Sequence, residues 1–315
     1  MGKIVKAVSP FVNATGSNFK LNPYKAWLRC GADVADAHYP WRVFNRIVHG
    51  YTFPSLPVSK KEARLRFVEA SSMNYDAFPD YMNYEIIPFV WDCWPRHDDK
   101  VIKWLKKCKV KACVFTCQEA AERIRKSLPN INILVVTEGI NTEKYEEGAL
   151  LKDRTLEVFY FGRAPKAVCG KEVLKDLSFK WGGTDEEFYE RIKNAKVTNA
   201  FPQCDVKPTE TGGQETLTQR YWECMLSRIV MIGRAPKELT DLIGYNPVIP
   251  LNVPLESKKK DASHAYNKQL REVLANIEDF QELVDKNRET ALRMAPWEIR
   301  MKQVMEWLTS LGYEV

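Results

Sequence analysis

The stretch from Lys196 to Pro236 constrains the fold of this chain more than any other part of it. Lys196-Val-Thr-Asn-Ala-Phe-Pro202 reads as a short buried strand that ends at a turn. Gly212 and Gly213 then open a loop, and an amphipathic helix runs to Leu226. Ile229 to Ile232 is a second apolar strand, and Pro236 opens another helix. Strand, loop, helix and strand in that order make a βαβ unit, which needs a parallel sheet covered by helices. Ligands in such sheets sit at the carboxyl ends of the strands, where the Gly-Gly loop lies.

Glu215 and Glu223 stand with seven residues between them in this loop and helix. The pattern predicts a helix whose first turns face a ligand, with Glu215 near the first turn. A helix start offers unpaired N–H groups and the positive dipole end, which suit a phosphate or diphosphate. Eight residues of helix rise about 12 Å. Two carboxylates so placed can contact opposite ends of a long ligand, such as a sugar joined through a diphosphate to a nucleoside. A solvated amphipathic helix would carry the same carboxylates, so the surroundings have to decide.

Two further segments bear on the choice. Leu156-Glu-Val-Phe-Tyr-Phe-Gly-Arg163 is an apolar strand ending in Gly-Arg, with Lys166 three residues on. An Arg fork and a Lys point charge are the expected partners of a diphosphate. The other is a strand–helix–strand series: Cys113 to Cys117, Gln118 to Leu128 and Ile131 to Val136. Thr137-Glu-Gly-Ile-Asn-Thr-Glu-Lys-Tyr145 follows it, and the chain closes with one amphipathic helix from Pro296 to Leu311.

Together these segments resemble retaining glycosyltransferases of the GT-B fold. Leu217-Thr-Gln-Arg-Tyr-Trp-Glu223 is most similar to the glycosyltransferase family 1-like group of bacterial surface-glycan type, in which an Arg precedes the second Glu by three. Glu138 to Thr142 with Tyr145 resembles the family's interdomain signal. The resemblance implies an α/β chain of two Rossmann-like domains facing across a cleft. Residues 1–150 would form the acceptor domain, 151–295 the nucleotide-sugar donor domain, and 296–315 a helix crossing back to the first. It also implies roles for single residues. Glu223 would hold the ribose hydroxyls and Glu215 the sugar hydroxyls. Arg163 and Lys166 would neutralise the diphosphate, with Gly212, Gly213, Thr216 and Arg220 completing the donor site. Asp92, at the end of the strand Tyr84 to Val90, would lie near the transferred sugar. His38 and His97 are further cleft candidates. The sequence departs from the family at several points. Lys166 and Lys171 compete for the Lys position, Gly170 precedes Lys171 rather than following a Lys, Arg228 stands where a Gly usually follows the helix, and Thr218 replaces another common Gly.

The function so implied is transfer of a sugar from a nucleotide-diphosphate sugar to a glycan or lipid-linked acceptor, with retention of configuration. No Asp-x-Asp pair follows a strand, so neither a metal nor another cofactor is expected. One alternative is a DNA-base glycosyltransferase of the same fold; another is a non-catalytic nucleotide-binding module. The net charge of +6 and the lack of a basic aromatic stripe argue against nucleic acid as partner.

Composition sets the bounds. At 315 residues with 45% hydrophobic content, the chain can fill two cores. No apolar run reaches the roughly 18 residues of a membrane span. Met1 to Lys6 has no long apolar region, so no secretory signal is expected, and the eight cysteines read as reduced cytosolic thiols. Cys113 and Cys117 read as core. Asn13-Ala-Thr15 and Lys258-Lys-Lys260 read as loops. In Val101 to Lys111 the apolar face is Val101, Ile102, Leu105 and Cys108, and the lysines point outward. That basic face is the expected place for peripheral contact with anionic membrane. Other expected strands are Lys3 to Val8, Arg64 to Ala70, 178–181 and 247–251. A helix is expected over Pro23 to Cys30, three more over 264–311, and irregular chain over 31–63.

Overall fold

A computed structural model of the chain describes residues 2–10, 19–36, 61–162, 165, 168, 173–251 and 259–315. The expected loop at 13–18, residues 37–60 with His38, and Lys258 lie outside the described residues. The chain divides into two compact units, Met1–Glu138 with Trp297–Val315, and Gly139–Pro296. Residues 139–150, placed by the sequence reading before the crossing, group with the second unit. The reason is local: Ile140 donates its N–H to the Ala295 carbonyl at 2.8 Å, and the Tyr145 ring packs in the second unit's core.

The first unit runs β1 (Lys3–Val8), α1 (Leu21–Arg29), β2 (Val34–Ala35), β3 (Glu62–Glu69), α2 (Met73–Ala77), α3 (Asp80–Asn83), β4 (Glu85–Trp91), α4 (Asp98–Lys107), β5 (Ala112–Phe115), α5 (Gln118–Ser127) and β6 (Asn132–Val135). The second runs β7 (Leu156–Tyr160), β8 (Phe179–Trp181), α6 (Asp185–Asn194), β9 (Ala195–Ala200), α7 (Gln203–Val206), α8 (Pro208–Thr211), α9 (Gln219–Leu226), β10 (Val230–Gly233), α10 (Lys237–Ile243), β11 (Ile249–Pro250), α11 (Lys259–Ala275) and α12 (Gln281–Met294). The chain then returns to the first unit as α13 (Trp297–Ser310) and β12 (Tyr313–Glu314).

Among the described residues the first unit's sheet has seven strands, in the order β12-β1-β3-β4-β5-β6 with β2 beside β1, and the second has five, β11-β10-β9-β7-β8. Every pairing is parallel. Helices on both faces explain why β4 is buried along its whole length and, after Glu85, reads as a continuous apolar run.

The last helix belongs to the first unit for a reason written in its spacing. Trp297, Met301, Val304 and Leu308 form one stripe, are fully buried, and share a core with Val5, Trp27, Leu65, Phe89 and Trp91. Each such side chain contributes roughly 1.5–3 kcal/mol on burial. On α4, Val101 and Leu105 are buried, and Lys100, Lys103, Lys106 and Lys107 are exposed. Among the described residues no helix is long and apolar enough to cross a membrane.

Candidate functional site

The second unit gathers its chemistry at the carboxyl ends of β7, β9 and β10, which are neighbours in one sheet. At the end of β7 the chain turns through Gly162 with φ +63. A side chain there would collide with the Arg220 guanidinium, which lies 5.5 Å over the Phe161 ring. Glycine is favoured by the left-handed backbone, and its missing side chain leaves room for the Arg220 guanidinium to lie where it does. The contact joins two segments that are read separately in the sequence, the strand end at Gly162 and the helix carrying Arg220. Arg163, Lys166 and the competing Lys171 lie outside the described residues.

The helix itself begins later than its sequence suggests. Residues 214–218 are not helical, Thr218 is the extended N-cap, and α9 starts at Gln219. Glu215 is therefore not in the first turn, and the rise of about 12 Å between the two carboxylates does not describe this chain. Two acids near the start of α10 explain the difference. The Leu217 N–H is satisfied by Glu238 Oε2 at 2.9 Å, and Glu215 itself is pinned to the start of α10. The glycines also differ from expectation. Gly212 (φ +62) is the left-handed C-cap of α8 and Gly213 (φ +79) follows it, so the pair ends a helical turn. Gln214 and Thr216 are buried behind them.

Glu215 is held through both oxygens. Oε1 accepts the backbone N–H of Lys237, the first residue of α10, and Oε2 pairs with Arg234. Arg234 also grips Asp205 in a two-point ion pair, 2.8 Å from Nε and 2.7 Å from Nη2. These hydrogen bonds, led by Asp205, push its guanidinium above the usual arginine range. Sequence reasoning missed Arg234 and Asp205. A signal was available: Gly233-Arg234 ends β10 as Gly162-Arg163 ends the strand at β7.

Glu223 sits on the middle turn of α9, half-buried, with the Tyr145 hydroxyl donating to Oε1 at 3.1 Å. Loss of hydration pushes the carboxyl above its usual range, and Tyr145 and Arg220 pull it partly back. Burial beside this carboxylate likewise pushes the Tyr145 phenol up. Arg228, found where the family has glycine, adopts the left-handed conformation a glycine would supply, φ +51. Its guanidinium repays the strain by pairing with Glu147 and with Asp285 at 3.1 Å, and by donating to the Ala149 carbonyl at 3.1 Å.

Asp92 belongs to the first unit. It is exposed, follows β4 with φ +50, and its carbonyl accepts the Trp94 N–H at 2.9 Å. His97 Nδ1 lies 3.0 Å from the same carbonyl, and burial lowers its pKa. Among the described residues no group of three or more His, Cys, Asp or Glu side chains is placed to hold a metal ion. Cys93, Cys108, Cys113, Cys117, Cys204 and Cys224 are buried thiols without disulfide partners.

Two parallel α/β units with the last helix returned to the first define the GT-B fold, the fold of a large class of glycosyltransferases. Solved structures agree. AviGT4, a glycosyltransferase of avilamycin A biosynthesis, matches with TM-score 0.52 and 9% identity over 99% of this chain and 98% of its own. A glycosyltransferase from Rickettsia africae matches with TM-score 0.53 and 10% identity over 97% of each chain. The pneumococcal O-GlcNAc transferase GtfA, solved with UDP and GlcNAc, matches with TM-score 0.51 and 12% identity over 87% of this chain. This chain spans 60% of that enzyme's length. No family model matches the sequence, and no curated protein matches it.

Proposed function

We propose that this chain is a retaining glycosyltransferase that takes a nucleotide-diphosphate sugar as donor and a glycan or lipid-linked acceptor. The observation that carries the reading is the junction of Gly162, Phe161 and Arg220 on the helix of Glu223. The Gly162 turn after β7 and the helix of Glu223 meet there, near the carboxyl ends of the strands, where ligands of such sheets bind, and this supports a diphosphate site. Arg163 and Lys166 follow that turn in sequence and are proposed to neutralise the diphosphate as the bond from the anomeric carbon to its oxygen breaks. Glu223 is proposed to accept the ribose hydroxyls, and Glu215, fixed by Arg234 and the Lys237 N–H, to accept hydroxyls of the transferred sugar. Asp92 is proposed to act near that sugar. Cationic side chains supply the charge that a metal would otherwise bring, so turnover is proposed to need none.

GtfA is described with UDP and GlcNAc, which supports a uridine-type donor as the first to try. The exposed lysines of α4 support an acceptor at an anionic lipid surface. The test is to incubate the chain with a panel of nucleotide sugars, follow release of the nucleoside diphosphate, and read the product anomer by NMR. Hydrolysis or transfer with retained configuration is the expected result. If no nucleoside diphosphate binds and no nucleotide sugar is consumed, the reading fails.

A further inference from the structure

The chain spends three partly or fully buried arginines on one short turn, Tyr145 to Ala149. Arg154 donates to the carbonyls of Ala149 at 3.0 Å and Ala195 at 2.7 Å, and burial lowers its pKa to about 10. Arg228 holds Glu147 and the Ala149 carbonyl. Arg288, on α12, donates to the Tyr145 carbonyl at 3.3 Å and to the Leu226 carbonyl at the end of α9. One guanidinium therefore fastens the Tyr145 backbone to the helix that carries Glu223. Buried cations cost hydration that apolar packing would not, so stability alone is a poor account of this arrangement.

What the turn delivers is the Tyr145 side chain. Its ring is 6% exposed and meets Tyr189 edge-on, centroids 5.3 Å apart at 72°. Its hydroxyl ends on Glu223 Oε1. We infer that Tyr145 is a positioning residue for Glu223, occupying Oε1 so that Oε2 is the oxygen that accepts the donor's ribose hydroxyls. This rests on the nucleotide-sugar reading of the site. Among the described residues, the charged and titratable groups that interact with Glu223 are Arg220 and the thiol of Cys224 on its own helix and Tyr145 from the turn, with Tyr189 of α6 behind Tyr145. The hydroxyl also favours the ionised carboxylate against the burial that opposes it.

Tyr145→Phe removes the hydroxyl and keeps the ring that packs on Tyr189. The full chain is titrated with a nucleoside diphosphate by calorimetry from pH 5 to 8, as parent, Tyr145→Phe and Glu223→Gln, with thermal melts to show that each is folded. At neutral pH, Tyr145→Phe is expected to bind about tenfold more weakly, the scale of one hydrogen bond to a charged group. Its loss of affinity at acid pH should begin at higher pH than the parent's. In Glu223→Gln that acid limb should vanish, which assigns it to Glu223 rather than to the ligand's own phosphate. A purely structural Tyr145 would leave the position of the limb unmoved. If the parent binds and Tyr145→Phe matches it in affinity and pH profile, the inference is overturned and the donor reading stands. If the parent binds no nucleoside diphosphate at all, both are overturned. Should Tyr145→Phe melt early, Phe188→Leu supplies the packing control, since Phe188 packs on Tyr189 at 5.3 Å and carries no hydroxyl: it should leave the acid limb in place, and a limb that moves equally in both variants also overturns the inference.

Discussion

Glu223→Gln separates the binding role of this carboxyl from any structural one. Gln has nearly the same volume and still offers an oxygen to the Tyr145 hydroxyl, which lies 3.1 Å from Oε1 in the parent. It also removes a charge that burial already disfavours. Folding stability is therefore expected to stay within about 1 kcal/mol of the parent, since a neutral hydrogen bond replaces a charged one while a desolvation cost disappears. Nucleotide binding has no such compensation. A hydrogen bond from a hydroxyl to an ionised carboxylate contributes on the order of 1.5–3 kcal/mol, so affinity for the nucleoside diphosphate should fall about tenfold to a hundredfold. Because the ribose is gripped equally in ground and transition states, the loss should appear mainly in donor KM. Calorimetric titration and a chemical melt on the same sample read both quantities. Unchanged affinity would refute the ribose assignment. A collapse in stability would show that the carboxylate is a structural anchor.

Glu215→Gln should lower turnover while leaving affinity for the free nucleoside diphosphate close to the parent's; calorimetry that finds nucleotide binding lost here instead of in Glu223→Gln would reverse the two assignments. Gly162→Ala should destabilise by about 1–2 kcal/mol from the left-handed backbone alone. It should also weaken nucleotide binding, because the new methyl displaces Arg220. Denaturant melts and titration check the two effects, and parent-like binding would remove Arg220 from the site. Turnover should survive an excess of chelator; activity lost in chelator and restored by magnesium or manganese would refute the metal-free reading.

Much of this architecture is legible along the chain because it depends on local pattern. The apolar run that follows Glu85 reads as a strand, and Trp297, Met301, Val304 and Leu308 mark one face of a helix whatever it packs on. The strand end at Gly162 and the helix of Arg220 and Glu223 are likewise legible as separate signals. Only the tertiary structure decided what those signals meet. The start of α9 moved from the glycines to Gln219 because Glu238 and the Lys237 N–H, some twenty residues on, hold Leu217 and Glu215 outside the helix. Arg234 joined Asp205 to Glu215, and Tyr145 came to rest on Glu223, 78 residues away in the chain. Hydrophobic periodicity is a property of neighbours in sequence. The partner of a buried carboxylate or guanidinium is chosen by which strand ends lie side by side, and no local pattern records that choice.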